Sequence, residues 1–438
     1  MLSRIDMRAS GVRRVAEQLA EHLQADLALK LWDGSVVPLG KNARGDLAFV
    51  VRSPTAVRRL MFSPRLTTFF ELFASGELDV EGGTFLEAIR RLDHMKAISI
   101  GKSLDKSLLL KSLWPFLFTR SGGDPKAALA YKDAVGERAD KGRDDKKLVQ
   151  FHYDVSNGFY ALFLGQEMVY SCAYFTHPGM DLDEAQRAKL DMICRRLRLK
   201  PGDRFLDIGC GWGGLICHAA QNYGVKALGV TLSQQQFDFV KERIKQLGLQ
   251  GRVTVELRDY RTVEAKPPFD KIAQIELFEH IGMENHERHF ETIYKLLRPR
   301  GLYLHHSVTR RLTRNPNKAK KTAAYQNFLG AFVLPGTALD SIGGTLSKLE
   351  RHGFEVHDVE NWREHFQRTS ELWAARLAAR REEAEAQVGY VKTRLWLLFF
   401  WLFALAFERN ACLIFQTLAS RRSVGPSGLP PTRADLYN

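Results

Sequence analysis

Cysteine is scarce in this chain. Five residues in 438, at positions 172, 194, 210, 217 and 412, include no C-x-x-C pair and form no even framework. That excludes a disulfide scaffold, argues against a structural zinc site, and fits a reducing compartment. No metal site is expected. Long apolar runs are also missing. The longest, Leu395 to Phe407, holds 13 residues, short of the ~20 that a membrane-spanning helix needs. The first 25 residues form a charged amphipathic pattern without the apolar core of a signal peptide. Acidic residues are in deficit, 50 Asp and Glu against 64 Lys and Arg, for a net charge of +14. An excess of that sign favours an anionic partner, either nucleic acid or a membrane surface. These features together predict a cytoplasmic protein, peripherally associated with the inner face of the cell membrane.

What the chain does have is organised around Phe205-Leu-Asp-Ile-Gly-Cys-Gly-Trp-Gly-Gly214. An apolar run from Arg204 to Ile208 reads as a buried parallel strand, breaks into glycines, and gives way to helix-like composition from Leu215. Strand, glycine turn and helix bring backbone N–H groups close to a nucleotide cofactor. The spacing Gly209, Gly211, Gly214 satisfies G-x-G-x-x-G, a pattern shared by several cofactor classes and by purely structural turns. Asp207, just before the first glycine, is placed to accept hydrogen bonds from a cationic amine. Roughly twenty residues on, where a dinucleotide site carries an acid, the strand from Lys226 to Leu232 ends in Thr231 and Ser233 instead. This favours S-adenosylmethionine and leaves NAD or FAD as the alternative.

The chain divides into four parts. Residues 1–118 read as a small α+β domain: an amphipathic helix to about residue 30, a hairpin around Asp33-Gly34, a strand at 47–52 and a helix at 85–92. Its role is either lipid docking or structural support. Within it, Leu113-Trp-Pro-Phe-Leu-Phe118 is expected to pack internally rather than rest on a membrane. Residues 119–147, rich in Gly, Ala, Lys, Arg and Asp, read as a linker. Residues 148–421 alternate strand and helix, with strands at 204–209, 226–232, 253–258, 271–277, 301–308 and 354–359. This alternation predicts an α/β fold, an open, mostly parallel sheet with helices on both faces and a ligand crevice at the carboxyl ends of the strands. Asp207, Thr231, Asp259, Glu279 and His306 all fall near strand ends. Residues 362–421 read as two helices, the second hydrophobic all round, hence buried or pairing with a second copy of the chain as a homodimer. Residues 422–438 read as a disordered tail.

Several motifs then follow in one order: His152-Tyr-Asp-Val-Ser-Asn-Gly-Phe-Tyr160, Met168-Val-Tyr-Ser-Cys-Ala-Tyr-Phe175, the glycine loop, Gly229-Val-Thr-Leu-Ser233, Asp259-Tyr-Arg261 and Phe278-Glu-His-Ile-Gly282. Together they resemble the cyclopropane-fatty-acyl-phospholipid synthase family, which includes the mycolic acid cyclopropane synthases. The likeness is close over residues 148 to about 310. It implies a class I methyltransferase (Rossmann-like) fold binding S-adenosylmethionine. By the family pattern Tyr170 and Ser171 contact the cofactor, Gly209 and Gly211 approach it, and Asp207 lies behind that loop. Thr231 and Gln236 take the ribose hydroxyls, and Asp259 and Tyr260 lie by the adenine. The resemblance further implies a bicarbonate ion, with Cys172, Glu279 and His306 at the surrounding catalytic positions.

The reaction so implied adds a methylene unit to a cis double bond in a phospholipid acyl chain. The implied partners are membrane phospholipids with unsaturated chains. Nucleic acid is not expected, because the chain has no N-P-P-[FYW] motif and no RNA-binding module. One departure bears on the product. Phe366 stands where many synthases carry an aromatic hydroxyl ahead of Thr369 and Trp373, which raises an alternative product with a methyl or methylene branch. A non-catalytic lipid-binding protein is a third reading, which an intact glycine loop and Glu279 disfavour. The basic residues Arg310, Arg311, Arg314, Lys318, Lys320 and Lys321 offer contacts for anionic head groups.

Overall fold

The computed structural model describes residues 6–63, 65–92, 105–118, 155–312 and 337–437. The expected linker, the His152-Tyr-Asp154 motif and the basic residues beyond Arg311 lie outside these. The chain forms two units, Met1–Ala134 with Val388–Leu402, and Val135–Gln387 with Phe403–Asn438.

The first unit is α+β, as its pattern predicts. Four short strands, β1 (Ala28–Lys30), β2 (Val36–Pro38), β3 (Ala48–Val51) and β4 (Leu78–Glu81), form a sheet of order β2-β1-β3-β4. Asp33-Gly34 makes the β1–β2 hairpin, with Gly34 at φ 84°, a conformation that suits glycine. The helix Met7–Leu23 is amphipathic and is capped by the Asp6 carboxylate, which accepts from the Arg8 N–H. Residues 388–402 belong to this unit, not to the C-terminal part of the second one as the sequence division had it. The reason is local packing. Arg394, buried, donates to the carbonyls of Phe73 (2.7 Å) and Leu78 (3.1 Å) and pairs with Asp79 (3.1 Å). Trp401 stacks on Phe85 with 6.3 Å between ring centroids.

The second unit holds a seven-stranded sheet of order β10-β11-β9-β8-β5-β6-β7. Its strands are β5 (Arg204–Ile208), β6 (Lys226–Thr231), β7 (Val253–Leu257), β8 (Phe269–Ile275), β9 (Leu297–Arg310), β10 (Phe354–Asn361) and β11 (Cys412–Arg421). Strands β5 to β9 run parallel, and β11 pairs antiparallel with both β9 and β10. Two apolar cores cover the sheet, one built on Phe205, Ile216 and Val240, the other on Leu206, Ile272 and Phe290. Adjacent residues Phe205 and Leu206 enter different cores because side chains alternate across a strand. The strand order reverses between β8 and β5, so the crevice lies at their carboxyl ends.

Three sequence expectations need correction. Residues 412–421 are a strand, not the end of a helix, and they sit inside the sheet. Asn410, at φ 55°, turns the chain out of the preceding helix. The tail beyond Arg421 is ordered over its described residues: Leu436 is buried, Asp435 pairs with Arg198 (2.9 Å) and Arg433 with Asp358 (3.0 Å). Finally, the 13-residue apolar run lies within the helix Tyr390–Glu408. That helix is, by length and composition alone, long and apolar enough to cross a membrane, but 78% of its most apolar window is buried inside the protein.

Candidate active site

The glycine loop does what its composition allows. Gly209 and Gly211 hold φ angles of 79° and 53°, and a side chain at Gly211 would meet nothing within 4 Å. The backbone there borders open space, as a cradle for a cofactor requires. The helix Gly214–Tyr223 begins directly after it.

One pocket at the ends of the parallel strands is lined by all nine residues expected at the cofactor: Tyr170, Ser171, Asp207, Gly209, Gly211, Thr231, Gln236, Asp259 and Tyr260. Their states differ. Asp207 is buried, its Oδ1 has no hydrogen-bond partner, and burial pushes its carboxyl up to about 7. An orphaned carboxylate oxygen facing a pocket fits a cationic group there. Thr231 Oγ1 donates to Gln236 Oε1 at 2.7 Å, holding two polar side chains together for a vicinal diol. Asp259, in contrast, is occupied locally. It caps a short turn and accepts from Arg261 Nε and from the Arg261 backbone N–H, both at 2.9 Å. Burial would raise its carboxyl, but the Arg261 hydrogen bonds win and hold it below the usual range. Tyr260 Oη lies 2.9 Å from His289 Nδ1. The aromatic wall is continuous: Tyr170 packs on Trp373 (5.1 Å) and Tyr160 on Trp212 (4.7 Å), whose indole N–H donates to Asn157 (2.8 Å). These residues fit S-adenosylmethionine, with its sulfonium, amine and ribose.

The three expected catalytic residues are not among those lining the pocket. Glu279 is buried, accepts from the Val308 backbone N–H, and is pushed up to about 7 by burial. Cys172 is fully buried and burial raises its thiol well above the ordinary value, which disfavours the thiolate. His306 is buried and neutral, its pKa driven well down by desolvation. The Gln416 amide nitrogen lies 3.0 Å from His306 Nδ1. An amide nitrogen only donates, so Nδ1 accepts and the ring proton is assigned to Nε2. His305 faces the other way, against Phe278 and Tyr303.

Two pocket-lining residues escaped the sequence reading. Lys189 is buried and donates to Ser171 Oγ at 2.8 Å. Burial pushes its pKa down, against the pull of Glu276 and Asp207. Glu276 lines the pocket and accepts from the Cys172 N–H at 2.7 Å, so it links the pocket to the three expected catalytic residues. A signal for Lys189 existed. In the helix Leu182–Arg196 it shares its buried face with Gln186, Leu190 and Ile193, a polar residue where the stripe is apolar. Phe366 is buried in an aromatic cluster with Trp373, Phe403 and Phe407, centroids 4.9–6.0 Å apart. Its ring serves packing.

Comparison with known proteins agrees with this geometry. A model of the mycolic acid cyclopropane synthetase family matches residues 140–417. A "Probable fatty acid methyltransferase" of Pseudomonas putida is 33% identical over 418 residues, 95% of this chain and 98% of its own length. Cyclopropane mycolic acid synthase 3 of Mycobacterium tuberculosis is 35% identical over 243 residues, 54% of this chain and 84% of that one. Among solved structures, mycolic acid cyclopropane synthase CmaA1 in complex with SAH and CTAB superposes with a TM-score of 0.60 at 30% identity, covering 64% of this chain and all of that one. The chain thus belongs to the mycolic acid cyclopropane synthetase family and is an S-adenosylmethionine-dependent lipid methyltransferase of the class I fold.

Proposed function

We propose that this enzyme transfers a methylene unit to a cis double bond of a phospholipid-bound acyl chain and closes a cyclopropane ring. S-adenosylmethionine supplies an electrophilic methyl when bound. An alkene is a weak nucleophile, so the residues around it must hold it in line and exclude water. Attack leaves a positive charge on carbon, and a base must then take a proton from the new methyl. The observation that carries the reading is a pair of buried carboxyls beside an aromatic wall. Glu276 lines the cofactor pocket and Glu279 is buried beside it, and Tyr170 on the lining packs against Trp373 behind it. A transient cation needs such surroundings.

A peripheral contact with the cytoplasmic face of the membrane belongs to the same proposal. In the first unit Leu110, Trp114, Phe118 and Phe62 are 71%, 57%, 75% and 60% exposed, contrary to the internal packing expected for residues 113–118; among the described side chains of that stretch only Phe116 is fully buried. Lys111 and Arg65 are exposed on the neighbouring segments. Aromatic rings among cations suit an anionic lipid surface.

The second reading is a methyl- or methylene-branched product. It is favoured by Phe366, which offers no hydroxyl, and by the Pseudomonas putida relative that matches nearly the whole chain. The test is expression in a host lacking its own synthase, with mass spectrometry and NMR of the acyl chains. A gain of one CH2 with loss of unsaturation and ring-proton signals is the expected result. The same gain with unsaturation retained selects the branched product, and unchanged acyl chains overturn both.

A further inference from the structure

The helix His286–Leu296 buries one face, formed by His286, His289, Phe290, Ile293 and Leu296. A histidine on an apolar stripe is most simply a packing residue, and burying its ring costs free energy unless its nitrogens find partners. Both nitrogens of His289 do. Nδ1 lies 2.9 Å from the Tyr260 hydroxyl and Nε2 3.3 Å from that of Tyr303. The Tyr303 hydroxyl in turn lies 2.9 Å from His305 Nδ1. All four side chains are buried.

The hydrogen bonds of this chain run in one direction. Burial holds both imidazoles neutral, so each has one donor and one acceptor nitrogen. The Gln274 amide is assigned with its nitrogen on His305 Nδ1, at 2.8 Å. Its oxygen then accepts from the N–H groups of Leu277 (2.9 Å) and Phe278 (3.2 Å). His305 Nδ1 is therefore an acceptor, and the Tyr303 hydroxyl donates to it. The Tyr303 oxygen accepts from His289 Nε2, and His289 Nδ1 accepts the Tyr260 proton. Both ends of the chain reach the cofactor pocket. Tyr260 lines it at one end and Leu277 at the other, whereas His289 stands behind the wall.

We propose that His289 is a positioning residue for the cofactor, holding Tyr260 in the pocket wall and tying it, through Tyr303, His305 and Gln274, to the segment that carries Leu277. The Tyr260 ring stands edge-on to the His289 ring, 5.3 Å between centroids, and the Arg261 guanidinium lies 5.9 Å from the Tyr260 centroid. The tyrosine is thus fixed both at its hydroxyl and at its ring. Phenylalanine at 289 would fill the same apolar stripe but could not bridge two hydroxyls. That contrast separates positioning from packing.

The inference rests on the cofactor pocket and not on the product formed, so its test reads binding. Full-length wild type, H289F, H289Q, Y260F and the double variant Y260F/H289F are titrated with S-adenosylhomocysteine by calorimetry. Thermal melts establish that each is folded. H289F is expected to bind about tenfold more weakly. H289Q, whose amide keeps a donor and an acceptor, should stay within about threefold of the wild type. In the Y260F background H289F should add less than about twofold, because its effect passes through the tyrosine hydroxyl. Wild-type affinity in H289F overturns the proposal and returns His289 to a packing role. An equal loss in H289Q and H289F, or full additivity of Y260F and H289F, overturns it as well. Should H289F fail to fold, weak binding by Y260F with near-wild-type binding by H289Q supports the link, and wild-type binding by Y260F overturns it.

Discussion

Lys189 Nζ lies 2.8 Å from Ser171 Oγ, one buried cation in a pocket whose wall also carries Asp207 and Glu276. The pair joins the helix Leu182–Arg196 to the segment that presents Tyr170 and Ser171. Replacing the lysine with methionine keeps much of the volume and removes the charge that both carboxylates feel. The cost should depend on pH. Near pH 6 the carboxylates can take up protons and become neutral. Near pH 8 they are increasingly ionised, and an uncompensated buried charge costs about 3 kcal/mol. Thermal melts at the two pH values should show K189M losing more stability at the higher one; an equal loss contradicts the electrostatic account.

Asp207 carries a second pH signature. Burial raises its carboxyl from 3.8 to about 7 in the folded protein. The unfolded chain therefore releases this proton earlier, and the stability Asp207 contributes is complete below pH 4 and lost as pH rises through 7. Cofactor binding runs the other way, because a cationic ligand favours the ionised carboxylate. Affinity for S-adenosylmethionine should rise about tenfold between pH 6 and pH 8, with proton release on binding below pH 7. Calorimetry in buffers of different ionisation enthalpy measures both. D207N should bind more weakly and lose the slope.

The first unit depends on Arg394, which reaches two backbone carbonyls and the Asp79 carboxylate while lying 4.3 Å over the Phe73 ring. R394L removes three buried hydrogen bonds of a charged donor at a cost of about 3 kcal/mol, although Asp79 keeps its bond from Arg52. Limited proteolysis should open residues 66–81 first. Protection of that segment in R394L would refute the assignment.

Much of the second unit is legible in the sequence because its parallel strands are buried on both faces and read as short apolar runs ended by glycine or aspartate, as at Phe205–Gly209. The strand Cys412–Arg421 hides for a definite reason. Its Leu-Ile-Phe follows a long apolar helix, and the break between them is Asn410, a residue that adopts positive φ without glycine's visibility in a sequence. The site divides in the same way. The cofactor residues follow motif spacing, whereas Glu276 is exposed to view only once its carboxylate is seen on the Cys172 N–H. The cysteine matters there through its backbone, which no side-chain motif encodes.

The exposed aromatic patch of the first unit gives a prediction of its own. Trp114 and Phe118 pack edge to face, 5.8 Å apart, and remain open to solvent. The double substitution W114S/F118S should weaken sedimentation with anionic vesicles about tenfold or more. Cofactor affinity, which belongs to the second unit, should stay at the wild-type value. Unchanged vesicle binding would remove this patch from the membrane contact.

Strand β11 enters the sheet from far along the chain, between β9 and β10, and carries Gln416 to the Nδ1 of His306. The order of strands along the chain therefore differs from their order in the sheet. The cofactor loop, β5 to β8 and His306 all come first, yet the ring of His306 is fixed by residue 416. The glycine loop and His306 thus belong to one stretch of chain, and the partner that sets the His306 tautomer to another, more than a hundred residues on.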